Sequence, residues 1–132
     1  MFSFLLIGSL SRQLDARTLV ENLGIVQREQ GERYIAFGPT GMQDGWIAVQ
    51  ALQDAEKDFE PDELDKVRKF IGDPWFLLVE GRDGKARFSD NFVLGIEHPE
   101  TLVIDNDHGL IDRADTVQNM IRDGRVWLEV SS

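Results

Sequence analysis

The chain contains no cysteine, which removes disulfides, thiolate metal sites and a cysteine nucleophile from consideration. Histidine is scarce: His98 and His108 are the only 2, and a strand-like segment between them gives no zinc-ligand spacing. No apolar run approaches the ~18–20 residues that cross a bilayer as a helix. The N-terminal run Phe2-Ser3-Phe4-Leu5-Leu6-Ile7 has no Lys or Arg before it and no small-x-small cleavage pattern after it. It is therefore expected to be the first strand of a cytoplasmic protein and not a signal peptide. Ser9, Ser11 and Ser89 sit in no G-x-S-x-G elbow, and the glycines form neither a G-x-G-x-x-G nor a Walker loop.

Positive charge is also short. Lys and Arg number 14 against 24 Asp and Glu, for a net charge of −10 over 132 residues. The imbalance is concentrated. Residues 44–65 hold eight acids (Asp44, Asp54, Glu56, Asp58, Glu60, Asp62, Glu63, Asp65) against Lys57, and residues 90–115 hold seven against Arg113. Such a field repels nucleic-acid and membrane phosphates and attracts basic partners. Hydrophobic residues make up 42% and charged residues 29%, a globular composition, and the length suits one domain spanning residues 1–132.

The hydrophobic pattern divides the chain into alternating elements. Residues 2–7 read as a strand buried on both faces. Residues 14–23 read as a helix with Asp15 as N-cap and Leu14 and Leu19 at the spacing of a hydrophobic staple. Residues 25–28 and 33–37 flank Gln30-Gly31-Glu32 as a hairpin, and 46–52 form a further strand. Residues 53–60 read as an acidic solvated loop. The segment 61–71 is the clearest helix: Pro61 opens it, acids stand at its start, bases at its end, and Gly72 and Pro74 stop it. Residues 75–80 and 85–88 are expected as strands around a glycine turn, with 92–96 resuming as a strand. Leu102-Val103-Ile104 is a short buried strand. A last helix covers 113–123 with Asp112 as N-cap, and 126–130 close the chain as a strand with Val126, Leu128 and Val130 on one face. This order predicts an α+β domain: one mostly antiparallel sheet, about three helices on one face, and a first half in the ferredoxin-like split βαβ order.

Groups able to do chemistry concentrate in residues 101–112, where Asp105, Asn106, Asp107 and His108 follow the buried strand directly. An Asp-x-Asp leaving a strand can hold a divalent ion between two carboxylates. The pattern is similar to the strand-end motif of haloacid-dehalogenase-like phosphatases, but those need a large doubly wound sheet after the motif and only 25 residues follow Asp107. The alternative is a structural turn, for which Asp, Asn and a positive-φ Gly109 are suited. A metal-dependent hydrolase built on Asp105, Asp107 and His108 and a small-ligand-binding regulatory module on the first half remain as rival readings.

The compact acidic α+β chain, the block Ile104-Asp105-Asn106-Asp107-His108-Gly109-Leu110-Ile111-Asp112, the capped helix after it and the Trp127-Leu128 segment resemble the small immunity proteins of bacterial polymorphic-toxin and contact-dependent growth inhibition systems. The resemblance implies a stoichiometric inhibitor without enzymatic activity or cofactor, bound over the active site of a cognate toxin with a basic surface. Asp105, Asp107, His108, Asp58 and Glu60 are the expected contact residues.

Overall fold

A computed structural model describes residues 1–129. The strands are β1 (Phe2–Ser9), β2 (Ile25–Glu29), β3 (Arg33–Gly38), β4 (Gly41–Leu52), β5 (Pro74–Arg82), β6 (Val103–Asp105) and β7 (Ile111–Arg113). The helices are α1 (Ala16–Val20), α2 (Pro61–Ile71), α3 (Phe88–Leu94) and α4 (Ala114–Arg122). All seven strands join one sheet in the order β2-β3-β4-β5-β1-β6-β7, and every neighbouring pair is antiparallel. The molecule is thus a single α+β domain. Among the described residues, no helix is long and apolar enough to cross a membrane.

The apolar run of residues 2–7 explains why β1 lies inside the sheet. Alternate side chains leave opposite faces, and both sets are apolar. Phe4 and Leu6 enter the larger core with Leu77, Val79 and Ile104. Ile7, with Leu5 packed alongside, enters a smaller core with Phe76, Val103 and Ile111. Val20 of α1, Phe88 and Phe92 of α3, and Val117 of α4 close the larger core. Val67 of α2 closes the smaller one. Helices therefore cover both faces, not one as expected, because strands β1, β5 and β6 present apolar side chains in both directions.

The ferredoxin-like order does not hold. A split βαβ unit leaves room for one strand between β1 and β2, whereas β3, β4 and β5 all lie between them. The reason is that β2, β3 and β4 form a continuous antiparallel run and β5, which follows α2, pairs directly with β4, so β1 joins the sheet at the far side of β5.

Other elements also differ from expectation. Residues 88–94 form α3, where strands were expected on either side of Asp90. Phe88 and Phe92 are four apart and both face the larger core, which is helical spacing. The cap that starts this helix is remote: Asp83 accepts from the Ser89 backbone N–H at 2.9 Å and from its hydroxyl at 2.6 Å. Residues 111–113 form β7, so α4 starts one residue later than expected, with Arg113 and not Asp112 at its N-cap position. Gly124 ends α4 with a positive φ of 73°. Residues 126–129 are not a strand; Val126 is exposed while Trp127 is buried, and Val130 lies outside the described residues. The acidic stretch before α2 contains a 3-10 turn, Ala55–Asp58. It is anchored by buried Ala55 and by Phe59, whose ring lies 5.4 Å from that of Phe76.

Candidate functional site

Register sets the site. Leu5 of β1 stands opposite Leu78 of β5 on one side and Asp105 of β6 on the other. Directly paired residues project to the same face, so Leu78, Leu5 and Asp105 lie in a row on the face that α2 covers. Val103, two residues before Asp105, belongs to the smaller core on that face. Asp105 is thus the point where a buried strand carries a carboxylate to the margin of a core.

The chain then turns through residues 106–110 into β7. Asn106 organises this turn from inside. It is fully buried, and its backbone N–H donates to the Leu110 carbonyl at 3.0 Å. Its side-chain Oδ1 accepts from the backbone N–H groups of His108 at 2.8 Å and Leu110 at 3.0 Å. Its Nδ2 donates to the Trp127 carbonyl at 2.6 Å. Trp127 is in turn fixed: its ring lies 5.0 Å from that of Phe4 in an edge-on contact, and its Nε1–H donates to Asp90 at 2.9 Å. Asp105 adds a second brace, with Oδ1 accepting the Asp107 N–H at 2.9 Å. Asp107 then takes a left-handed φ of 63° and Gly109 one of 103°, as turn chemistry allows for Asp and Gly. The exposed tip, Asp107 and His108, is held by buried groups on both sides.

Two clefts flank this tip. The first, about 190 Å³, lies between the sheet and the segment leading into α2. Leu5, Leu52, Ala55, Phe59 and Leu78 supply its apolar lining, and Asp58, Glu63, Asp105 and Asp107 its acids. The second, about 220 Å³, has His108, Asp107, Glu80 and Glu129 among its lining residues. The structure therefore brings Asp58, Asp105 and Asp107 together, adds Glu63, and turns His108 toward the neighbouring cleft. Glu60 is outside both; it is the N-cap residue of α2, and its backbone N–H donates to the Glu63 carboxylate at 3.2 Å.

Asp105 is 7% exposed. Burial pushes its carboxyl above the ordinary aspartate range; the Asp107 N–H pulls it back, and the charges of Asp107 and Glu63 push it up again. Among the described residues, no Lys, Arg or His forms an ion pair with any of the four acids of this cleft. Nor do three His, Asp or Glu side chains gather closely enough among those residues to hold a metal ion. The arrangement presents unneutralised negative charge over an apolar lining.

Two members of this site were not singled out by sequence reasoning. Glu63 reads as an ordinary helix-start acid, and Asn106 reads as a turn former. The signal for Asn106 is its place between a buried strand and Leu110, where an amide side chain is the group best able to satisfy several enclosed backbone atoms at once.

Comparison with protein-family models, with curated proteins and with solved structures finds no match to this chain.

Proposed function

We propose that this chain is a non-enzymatic binding protein of the immunity type, acting in the cytoplasm. It binds a cognate bacterial toxin domain and neutralises it by covering a basic active site. A nuclease domain, whose cleft is basic to hold phosphates, is the class of partner that fits best. The observation that carries this reading is the meeting of Asp58, Glu63, Asp105 and Asp107 in one cleft with no cation paired to them among the described residues. A net charge of −10 draws a basic partner in from a distance, so association is fast and weakens with salt. The hydrogen-bonded turn presents Asp107 and His108 already ordered, so little conformational freedom is lost on docking.

A toxic domain is expected to be encoded beside this chain in its genome, and that domain is the test; a neighbourhood without one counts against the reading. Mixed with the purified chain, the domain is expected to form a one-to-one complex and lose its activity, and co-expression is expected to restore growth. Stopped-flow association is expected to slow about tenfold or more between low and high salt. Absence of both a complex and growth rescue overturns the reading.

A further inference from the structure

The four acids and the apolar lining also point to what enters the cleft. We propose that the cleft between the sheet and the start of α2 receives one lysine or arginine side chain of a basic protein partner. This rests on the binding-protein reading above and names its contact chemistry.

Three observations carry the assignment. The first is the buried carboxylate. Asp105 is more than nine-tenths buried; its Oδ1 is held by the Asp107 N–H, and its Oδ2 has no hydrogen-bond or ion-pair partner among the described residues. Among the described residues no fully enclosed side-chain oxygen lacks a partner, so Oδ2 opens on the cleft; a largely desolvated carboxylate without a counter-ion is costly, and an incoming cation relieves that cost. The second is the lining. Leu5, Leu78 and Phe59 offer apolar surface next to the acids, which matches a side chain with an apolar stem and a charged head. The third is size. At about 190 Å³ the cleft falls below the ~300–1,000 Å³ of pockets that enclose free ligands, and it suits a single side chain supplied by a larger surface. A shared metal ion fits less well, since among the described residues no three of these acids gather on one point.

The experiment is an amide-resolved NMR titration of the full chain with Nα-acetyl-lysine amide, Nα-acetyl-arginine amide, Nα-acetyl-norleucine amide and magnesium chloride. The lysine or arginine probe is expected to give saturable millimolar shifts confined to Leu5, Phe59, Asp105 and Asp107. Asp105→Asn keeps the Oδ1 acceptor of the turn and is expected to weaken that binding about tenfold, as the loss of one charged hydrogen bond does. Glu63→Gln is expected to weaken it in the same direction, and Asp65→Asn, outside the cleft, to leave it unchanged.

Equal shifts from the norleucine probe, displacement by magnesium at equal concentration, or unaltered lysine and arginine binding in Asp105→Asn overturns the assignment. The two readings fail separately. If the neighbouring toxin domain binds wild type and the Asp105→Asn/Glu63→Gln double variant equally well, the cleft assignment falls and the binding reading stands. If the lysine probe docks in the cleft but the toxin domain does not bind, the immunity reading falls and the cleft keeps its basic-side-chain specificity.

Discussion

Replacing Asn106 with alanine is the sharpest test of how the acidic tip is held. Among the described residues, the substitution removes three hydrogen bonds, to the Trp127 carbonyl and to the His108 and Leu110 N–H groups. The His108 N–H belongs to an exposed residue, and water can replace its partner. The other two groups belong to Leu110, 4% exposed, and Trp127, 2% exposed, where replacement by water is obstructed. A buried polar group left without its partner costs about 1–3 kcal/mol. With the vacated volume, Asn106→Ala is expected to lose about 3–6 kcal/mol, a large part of the ~5–15 kcal/mol that holds a typical domain. In urea, followed by far-UV circular dichroism and tryptophan fluorescence, the midpoint is expected to fall by about 1.5–3 M at a slope near 2 kcal/mol/M. His108→Ala, at the same turn but exposed, is expected to stay within about 0.5 kcal/mol of wild type. Asn106→Asp separates donor from acceptor: it keeps the two acceptor sites, loses the donor to Trp127, and adds a charge between Asp105 and Asp107. Its defect is expected to be large at neutral pH and to shrink in acid as the new carboxyl takes up a proton. A loss below about 1 kcal/mol in Asn106→Ala would refute the claim that this side chain organises the turn.

Three further outcomes follow from the same geometry. The Asp105 carboxyl titrates above its unfolded value, so the stability associated with its proton is fully present below the unfolded value and is lost as pH rises through the folded one. Asp105→Asn is therefore expected to be more stable than wild type at pH 7, by about 1.4 kcal/mol for each unit of elevation, with the gap closing in acid melts. Asp44 behaves in the opposite sense. The Thr40 hydroxyl and N–H, at 2.5 and 2.8 Å, hold its carboxyl below the usual range, assisted by Lys85, so its contribution is present at neutral pH and lost as pH falls. Thr40→Val should accordingly lower the melting temperature at pH 7 and approach wild type in acid; an equal deficit at both pH values would count against the bond. Trp127→Phe removes the bond to Asp90 and is expected to cost about 1–3 kcal/mol, whereas Trp127→Ala also opens the larger core and should cost about 3–5 kcal/mol. Similar losses in both variants would show that the indole bond, and not packing, dominates there.

Periodicity identified the elements whose stabilising contacts are local. Pro61–Ile71 matches the expected helix because its opening proline, its charge gradient and its glycine stop all lie within the segment. The β2–β3 hairpin around Gly31 is equally local. What escaped the sequence depends on distant partners. The α3 cap comes from Asp83, six residues before Ser89. The β7 strand is three residues long and exists because β6 is there to pair with it. Trp127 turns inward because Phe4, Asp90 and Asn106 receive it, which no strand alternation foretells. The same division holds at the site. Asp105 and Asp107 announce themselves by standing beside a buried strand. Their association with Asp58 and Glu63 depends on α2 packing across β1, β6 and β7, a contact that spans more than forty residues of chain.

Stability and binding should respond to Asp105 with opposite signs, and that opposition separates a recognition residue from a structural one. Were the carboxylate there only to form the turn, an asparagine would do the same through Oδ1 without the charge, the fold would be more stable, and nothing else would change. The proposed role requires a cost of replacement elsewhere. With the charge present, the free protein carries an ion-unpaired carboxylate at the margin of a core, beside Asp107 and Glu63. When a basic side chain arrives, that unfavourable field becomes part of the binding energy, so the instability of the free state and the affinity of the complex have one origin. Asp105→Asn should then melt later and bind more weakly, while Asn106→Ala should melt earlier and bind more weakly only because the tip is no longer held. Measured side by side, the two neighbours assign the charge to recognition and the amide to the scaffold. Asp105→Asn changing stability and affinity in the same direction would remove that distinction.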